Sequence, residues 1–150
     1  MPQSLSNIIV HIVFSTKNRE DSIRVEDEER LYLYIVGVLQ GLGCNALKIG
    51  GTANHVHIAC ILHRTLAVSK VVEKIKIASS RWIKTISQHY EQFAWQIGYG
   101  AFSVSQSQLG KLIAYIERQK EHHRENDFQE EYRIILKKHG LMHDERYVWD

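Results

Sequence analysis

The chain has 150 residues, of which 44% are hydrophobic and 24% charged, and its formal net charge is +2 at pH 7. These totals are ordinary for one globular core, so we expect a single domain over residues 1–150. The small net charge excludes a protein that binds nucleic acid through overall charge alone, so any basic surface has to be local. The sequence shows neither a secretory signal nor the run of about 20 apolar residues that spans a bilayer, so we expect a cytoplasmic protein without a membrane segment.

The first half of the chain predicts a strand, a helix and a hairpin. Residues 5–15 contain a short β-branched run that is typical of a buried strand. Residues 26–42 begin with four acidic side chains and continue with apolar residues at helical spacing. Residues 45–50 and 55–62 predict two strands, which a tight turn at residues 51–53 joins into a hairpin.

The second half predicts a long helix over residues 66–87, a strand over 99–104, and helices over 105–123 and 127–139. The predicted order is therefore β-α-β-β-α-β-α-α. Its first six elements have the ferredoxin-like order, in which a split βαβ arrangement forms an antiparallel sheet with two helices on one face. We expect an α+β fold of this kind with additional C-terminal helices.

His55 and His57 form a His-hydrophobic-His motif on the second strand of the predicted hairpin. Residues i and i+2 of a strand point to the same face, about 6.6–6.8 Å apart along it, so two imidazoles can converge on one metal ion. Val56 points the other way, towards the same face as the apolar residues that follow it. The motif is short, and it is also compatible with a pair of hydrogen-bonded strand histidines that bind no metal.

Tyr115 and Gln119 are four residues apart on a predicted helix and are therefore neighbours on its surface. Both lie at the edge of the apolar stripe, where a side chain is held by packing and can still reach a cleft. The pair alone also fits a boundary tyrosine beside a solvated glutamine.

Basic residues form a stripe on the helix predicted over residues 66–87. The four side chains lie within about 80° of one another and well over 100° from its apolar face, as a surface that tracks a phosphate backbone would. Two further basic residues follow the first strand, and an ordinary solvated surface remains the alternative for all of them. The candidate DNA-binding residues are Lys17, Arg19, Lys70, Lys74, Arg81 and Lys84.

Several other chemistry-bearing residues are expected to have no catalytic role. Residues 122–123 are both histidines and residues 130–131 are both glutamates, and we expect all four on helix surfaces. Trp95, Tyr99 and Phe102 could stack on bases, although aromatic residues are more often part of a core.

Four segments together resemble the IS200/IS605-type transposases, the single-tyrosine members of the HUH nuclease superfamily. They are residues 11–19 (HIVFSTKNR), residues 50–57 (GGTANHVH), residues 98–105 (GYGAFSVS) and the Tyr115-to-Gln119 segment. Each is weak alone, but their order and separation make the resemblance specific over nearly the whole chain. Many relatives carry Asp before the first histidine of the motif, where this chain has Asn54.

The resemblance implies an enzyme that cleaves and rejoins single-stranded DNA at transposon ends. It places the nucleophile at Tyr115, which would form a 5′-phosphotyrosine intermediate, and a Mg²⁺ or Mn²⁺ ion on His55, His57 and Gln119. It also implies a homodimer and recognition of DNA hairpins. The related repeat-associated transposases share the same motifs, so membership of that group is an alternative. The alternatives are a non-enzymatic ferredoxin-like nucleic-acid-binding module with structural histidines, and a metal hydrolase that activates water.

Overall fold

A computed structural model describes residues 2–123 and 126–150 of the chain. The order of elements is the predicted one, except that the helix predicted over residues 105–123 is divided in two. The strands and helices have the following bounds: β1 Ile8–Ser15, α1 Val25–Gly41, β2 Asn45–Thr52, β3 His55–Leu62, α2 Val68–Ile86, β4 Gly100–Val104, α3 Leu109–Glu117, α4 Gln119–His122 and α5 Phe128–Lys138.

The four strands form one antiparallel sheet in the order β2-β3-β1-β4. The strands β1 and β3 are central, and their register pairs Val13 with His57 and Ser15 with His55. This is the strand order of the split βαβ arrangement, so the predicted α+β, ferredoxin-like fold is confirmed.

The first face of the sheet carries the larger core because the even-numbered residues of β1 and β3 point to it. Val10, Ile12 and Phe14 from β1 pack there with Val56 and Ile58 from β3. Helices α1 and α2 cover this face with their apolar stripes, which consist of Leu31, Ile35 and Leu39 in α1 and of Val71, Val72, Ile75 and Ile83 in α2.

The second face of the sheet carries a smaller core and the two histidines of β3. Val13 and Phe102 pack against α5, whose buried apolar residues are Phe128, Tyr132, Ile135 and Leu136. Helices α3 and α4 cover the edge of this face at β2. The side chains of His11, His55 and His57 therefore lie between the sheet and the C-terminal helices, where they are buried.

The helix predicted over residues 105–123 is divided in the structure. A 3₁₀ turn at Gln106–Gln108 leads into α3, and Arg118, with φ −99° and ψ 19°, separates α3 from α4. The apolar stripe predicted for this helix consists of Leu109, Leu112, Ile113 and Ile116. Only Ile116 of these four is fully buried, and the other three are half-buried. None of the helices in the described part of the chain is long and apolar enough to cross a membrane.

Candidate active site

His55 lies at the start of β3 and is oriented by its neighbours in the hairpin. Its Nδ1 atom lies 2.8 Å from Asn54 Oδ1 and 3.0 Å from Thr52 Oγ1. Because an amide oxygen only accepts hydrogen bonds, Nδ1 donates to it. Burial lowers the pKa of His55 to about 4, although its contact with Glu131 opposes the shift. The ring is therefore neutral at pH 7, and Nε2 carries a lone pair that points into the site.

His57 is oriented by His11 of the neighbouring strand. The Nδ1 atom of His57 lies 2.8 Å from His11 Nε2, and the two rings stack with their centroids 5.1 Å apart. Burial and the nearby His57 lower the pKa of His11 to about 3, so His11 is neutral. Either nitrogen of this pair can donate, and a cation on His57 Nε2 requires that Nδ1 donate to His11.

Glu131 of α5 brings a carboxylate to both histidines. Its Oε1 atom lies 2.8 Å from His57 Nε2 and 3.4 Å from His55 Nε2, and its Oε2 atom lies 3.3 Å from His123 Nε2. Burial raises the pKa of Glu131, but its close contacts with His123, His55 and His57 outweigh burial and hold the pKa well below its usual range. The carboxylate is therefore ionised and supplies a buried negative charge.

The prediction that Glu131 lies on a helix surface is wrong, because the residue is only 5% exposed. A signal for its burial is present in the sequence. Residues 128, 131, 132, 135 and 136 follow the i, i+3, i+4, i+7, i+8 spacing of a buried helical stripe, and Glu131 is its one charged member. The neighbouring Glu130 is exposed, as predicted.

Tyr115 of α3 donates its hydroxyl hydrogen to Glu131 Oε2 over 2.6 Å. Its ring meets the ring of His57 edge-on at a centroid distance of 5.6 Å, and it packs on His122 at 4.7 Å. Burial raises the pKa of Tyr115 far above its usual value, and the adjacent carboxylate raises it further. The phenol is therefore held protonated, with its hydrogen directed at Glu131.

Gln119 begins α4, and its amide oxygen Oε1 lies 2.9 Å from His55 Nε2. The break at Arg118 separates it from the helix of Tyr115, but both side chains still face the histidines. Gln119 is 1% exposed, so the alternative of a solvated glutamine is excluded. The structure thus brings all four predicted site residues, Tyr115, His55, His57 and Gln119, into one cluster within a single chain.

The donor set of this cluster suits a divalent cation. One ligand atom each from His55, His57 and Glu131 lies within 4.8 Å of the other two. When His55 is neutral with Nδ1 protonated, its Nε2 atom and Gln119 Oε1 are both acceptors, so a cation or a proton between them is needed to satisfy both. Two imidazoles with carboxylate and amide oxygens form the mixed set that accepts Mn²⁺ as well as Mg²⁺.

The predicted basic stripe lies away from the cluster. Lys70, Lys74, Arg81 and Lys84 are exposed on α2, which covers the opposite face of the sheet from the histidines. Lys17 and Arg19 lie nearer, since they follow the end of β1, where Thr16 N donates to Asn54 O over 2.8 Å. The cluster and the stripe are thus separate surfaces of the molecule.

Two of the three candidate stacking aromatics belong to the core. Trp95 and Phe102 are 7% and 5% exposed, whereas Tyr99 is 39% exposed. Trp95 also donates its indole hydrogen to Ser79 Oγ over 2.9 Å, inside the larger core between the sheet and helices α1 and α2. Only Tyr99 of the three is therefore accessible to a base in this structure.

Comparison with solved structures finds proteins that share this fold. A solved protein from Deinococcus radiodurans R1, described as a transposase, is similar with a TM-score of 0.62 and 19% identity, over 79% of this chain and 98% of that one. A REP-associated tyrosine transposase bound to a REP hairpin is similar with a TM-score of 0.62 and 13% identity, over 82% of this chain and 72% of that one. Both likenesses concern the fold. Among curated proteins, none matches this chain.

The family described as "Transposase IS200 like" matches residues 4–119. The matched segment contains both histidines of β3 together with Tyr115 and Gln119, and it ends before Glu131. Because the match extends over most of the chain, this protein belongs to the IS200-like transposase family.

Proposed function

We propose that this transposase cleaves and rejoins single-stranded DNA through a covalent bond between Tyr115 and a 5′ phosphate. The observation that carries the proposal is the 2.6 Å contact between the Tyr115 hydroxyl and Glu131, a carboxylate that also contacts both histidines. The side chain of Glu131 therefore contacts both Tyr115, which lies at the position of the family's nucleophile, and the candidate cation site.

The cation would be held by Nε2 of His55 and His57, by Gln119 Oε1 and by Glu131 Oε1. Mg²⁺ and Mn²⁺ are the ions that this donor set favours. When bound, the ion polarises the scissile phosphate and offsets the charge that develops on it. Asn54 and His11 hold the two imidazole rings in the orientation that directs Nε2 to the ion.

Tyr115 would act as the nucleophile. Its oxygen forms a bond to phosphorus, its hydrogen passes to Glu131 Oε2 along the existing hydrogen bond, and the bond from phosphorus to the 3′ oxygen breaks. The 3′ oxygen takes up a proton from solvent water and leaves as a free hydroxyl, and Glu131 returns its proton to solvent. Because the phosphotyrosine bond conserves the energy of the phosphodiester, a second 3′ hydroxyl can attack it and rejoin the strands without ATP.

The DNA partner is expected to carry hairpins at the transposon ends, in keeping with the hairpin bound to the similar REP-associated transposase. We also propose that the protein acts as a homodimer, with two such sites serving two DNA ends. The half-buried apolar residues Leu109, Leu112 and Ile113 of α3 leave a face that a second copy could cover.

The test is an adduct assay on single-stranded hairpin DNA with Mg²⁺ or Mn²⁺. The wild-type protein should form a protein–DNA adduct that survives denaturation, and peptide mass should map it to Tyr115. Tyr115→Phe and addition of EDTA should each abolish it, whereas Tyr147→Phe, at a tyrosine that is 64% exposed, should not.

The same assay separates the alternatives. An adduct that still forms with Tyr115→Phe would show that the nucleophile is another residue. Cleavage that survives Tyr115→Phe but is lost in His57→Ala would indicate a metal hydrolase that uses water. DNA binding with neither adduct nor cleavage would indicate a binding module.

A further inference from the structure

The four-residue helix α4 carries Gln119, the amide that faces His55. A helix of about one turn is unstable on its own, because its first turn orders several residues for little hydrogen bonding. Arg118, which is not helical, also separates α4 from α3. The position of Gln119 therefore depends on the contacts that α4 makes with other elements.

Two consecutive side chains of α4 make polar contacts with other elements. Gln119 Oε1 lies 2.9 Å from His55 Nε2, and Lys120 Nζ lies 2.8 Å from Glu28 Oε2 on α1. These are the two such contacts of α4 within residues 2–123 and 126–150. Because consecutive helical residues point about 100° apart, the two contacts hold α4 from different directions.

Glu28 is the buried member of its pair with Lys120. Its side chain is 11% exposed, whereas that of Lys120 is 58% exposed. A lysine side chain is long and flexible, so the buried carboxylate on α1 is the fixed end of the contact. Helices α1 and α4 both contact β2, the edge strand of the sheet. The ion pair therefore links the helix that carries Gln119 to the larger core.

We propose that Glu28 is a positioning residue for the candidate active site, an inference that rests on the proposed function in so far as Gln119 is a ligand of the cation. Its ion pair with Lys120 holds α4 in place and keeps Gln119 Oε1 directed at His55 Nε2. Since α4 is then ordered before the ion arrives, its ordering does not weaken the binding of the ion.

A second ion pair, on the other side of the break at Arg118, provides a matched control. Lys48 Nζ lies 3.3 Å from Glu117 Oε1, and the two side chains are 35% and 53% exposed. Ion pairs this exposed contribute little to stability. Helix α3 is in any case held by Ile116, which packs closely on Gly50. Glu117→Gln therefore removes the same charge as Glu28→Gln from a helix that does not depend on it.

Isothermal titration with MnCl₂ tests the role of Glu28 in cation binding. Glu28→Gln should weaken Mn²⁺ binding by about 5-fold, which corresponds to about 1 kcal/mol of ion-pair energy. Lys120→Gln should weaken it similarly, and it should also lower the thermal stability because the Glu28 carboxylate stays buried without its cation. Lys120→Arg, which keeps the charge, and Glu117→Gln should both bind Mn²⁺ as the wild type does.

A double-mutant cycle with Gln119 separates positioning from a general loss of stability. If Glu28 acts through Gln119, Glu28→Gln should cause no further loss of Mn²⁺ affinity in a protein that already carries Gln119→Ala. A merely structural role of Glu28 would lower the affinity by the same factor with and without Gln119→Ala.

Amide hydrogen exchange in EDTA tests the position of α4 without the cation. The helical hydrogen bonds here include those from His122 N to Arg118 O and from His123 N to Gln119 O, each 3.1 Å long. These two amide hydrogens should exchange about 5-fold faster in Glu28→Gln, since local opening becomes easier when the link to α1 is lost. In Glu117→Gln they should exchange as in the wild type.

The outcomes separate this proposal from the proposed function. Unchanged amide exchange in Glu28→Gln would overturn the proposal. In a protein that binds Mn²⁺ through Gln119, an unchanged affinity in Glu28→Gln, or an equal loss with and without Gln119→Ala, would also overturn it and leave the cation site intact. A wild-type protein that binds no Mn²⁺ would contradict the cation assignment, whereas faster exchange in Glu28→Gln would still support the positioning of Gln119 by Glu28.

Discussion

His55 and His57 are oriented by side chains that are not among the proposed cation ligands. Asn54 accepts from His55 Nδ1, and His11 contacts His57 Nδ1. The family resemblance implies an aspartate at this position in many relatives, and the amide oxygen of Asn54 accepts a hydrogen bond from the imidazole without adding a charge. Such partners fix the tautomer of a metal-binding imidazole and commonly change metal affinity by about 10–100-fold when removed.

At this scale the first prediction concerns Glu131. Glu131→Gln keeps the size of the side chain but removes the negative charge that contacts the two histidines. We expect the affinity for Mn²⁺ to fall by about 10-fold or more, because a neutral amide is a weaker ligand for a hard cation than a carboxylate. Isothermal titration of the protein with MnCl₂ measures the change.

Glu130→Gln is the control for that experiment, since Glu130 is the exposed neighbour on the same helix and its substitution removes the same charge. Gln119→Ala gives the comparison with the ligand that the family resemblance implies. If Mn²⁺ affinity were unchanged in Glu131→Gln but reduced in Gln119→Ala, Glu131 would not be a ligand of the cation. Its role would then be limited to its contact with Tyr115.

At the scale of elements, the short helices α3 and α4 place the proposed nucleophile Tyr115 and the amide of Gln119 on the same side of the site. The four-residue spacing predicted that Tyr115 and Gln119 are neighbours, and they remain so although Arg118 interrupts the helix. The interruption itself has no signal in the sequence, because residues 115–121 contain neither glycine nor proline. It follows from tertiary packing, since α3 and α4 both contact β2.

The contact between α3 and β2 leads to a second prediction. A Cβ atom added at Gly50 would lie 2.7 Å from the carbonyl oxygen of Ile116 and 2.8 Å from its Cγ2 atom. Gly50→Ala should therefore push α3 away from the sheet and lower the free energy of unfolding by about 1–3 kcal/mol, as overpacking does. Because Ile116 follows Tyr115 directly, a shift of α3 also displaces Tyr115. Adduct formation should therefore fall by more than the loss of folded protein alone would explain.

Gly37→Ala supplies the matched comparison. Gly37 lies in the middle of α1, and an added Cβ atom there would have no neighbour within 4 Å. This change should raise the free energy of unfolding by about 0.5–1 kcal/mol, since alanine favours a helix over glycine. Urea denaturation measures the free energy of unfolding of both variants. If Gly50→Ala changed this free energy in the same way as Gly37→Ala, the position of α3 would not depend on its close approach to Gly50.

At the scale of the whole molecule, the sheet separates a helical layer with a basic surface from a layer with the candidate site. The alternation of β3 predicted that both histidines share a face and that Val56 shares the other, because this pattern is local. The contact between Glu131 and His57 could not be predicted from a local sequence pattern. The Glu131 carboxylate reaches His57 across 74 positions of sequence, and only the packing of α5 on the sheet brings the two together.

The buried histidines predict how the stability of the whole fold depends on pH. The pKa values of His55 and His11 are lowered to about 4 and about 3, chiefly by burial, so the unfolded chain binds protons that the folded chain does not. The free energy of unfolding therefore has its full value above pH 6.5, where both histidines are neutral in the folded and the unfolded chain. It decreases as the pH falls below 6.5. Each histidine should contribute a slope of up to about 1.4 kcal/mol per pH unit between pH 6 and 4.5.

Urea denaturation in EDTA at several pH values measures this slope. His11→Gln should remove about half of it, whatever its effect on stability at pH 7, whereas the exposed His89→Gln should leave it unchanged. The groups that face His11 are His57, Glu131 and His139, and the depressed pKa of Glu131 adds a further loss only below about pH 4.5. A slope that is the same in His11→Gln would show that His11 is protonated in the folded protein.

The position of the basic stripe on α2 gives a last prediction, which depends on the length of the DNA. Since α2 and the histidines lie on opposite faces of the sheet, a short oligonucleotide in the site cannot also reach Lys70, Lys74 and Arg81, whereas a longer hairpin can. Replacing these three residues with glutamine should weaken binding of a long hairpin and reduce its salt slope by about 0.7–0.9 for each phosphate that is no longer neutralised.

The same variant should bind a pentanucleotide as tightly as the wild type does. Fluorescence anisotropy between 50 and 200 mM salt, roughly the range over which phosphate contacts dominate binding, distinguishes the two substrates. Equal salt slopes for the hairpin in both proteins would identify the stripe as an ordinary solvated face. Bound DNA would then be held from the side of β3 alone, where Lys17 and Arg19 follow β1 beside Asn54 and are the nearest of the predicted basic residues.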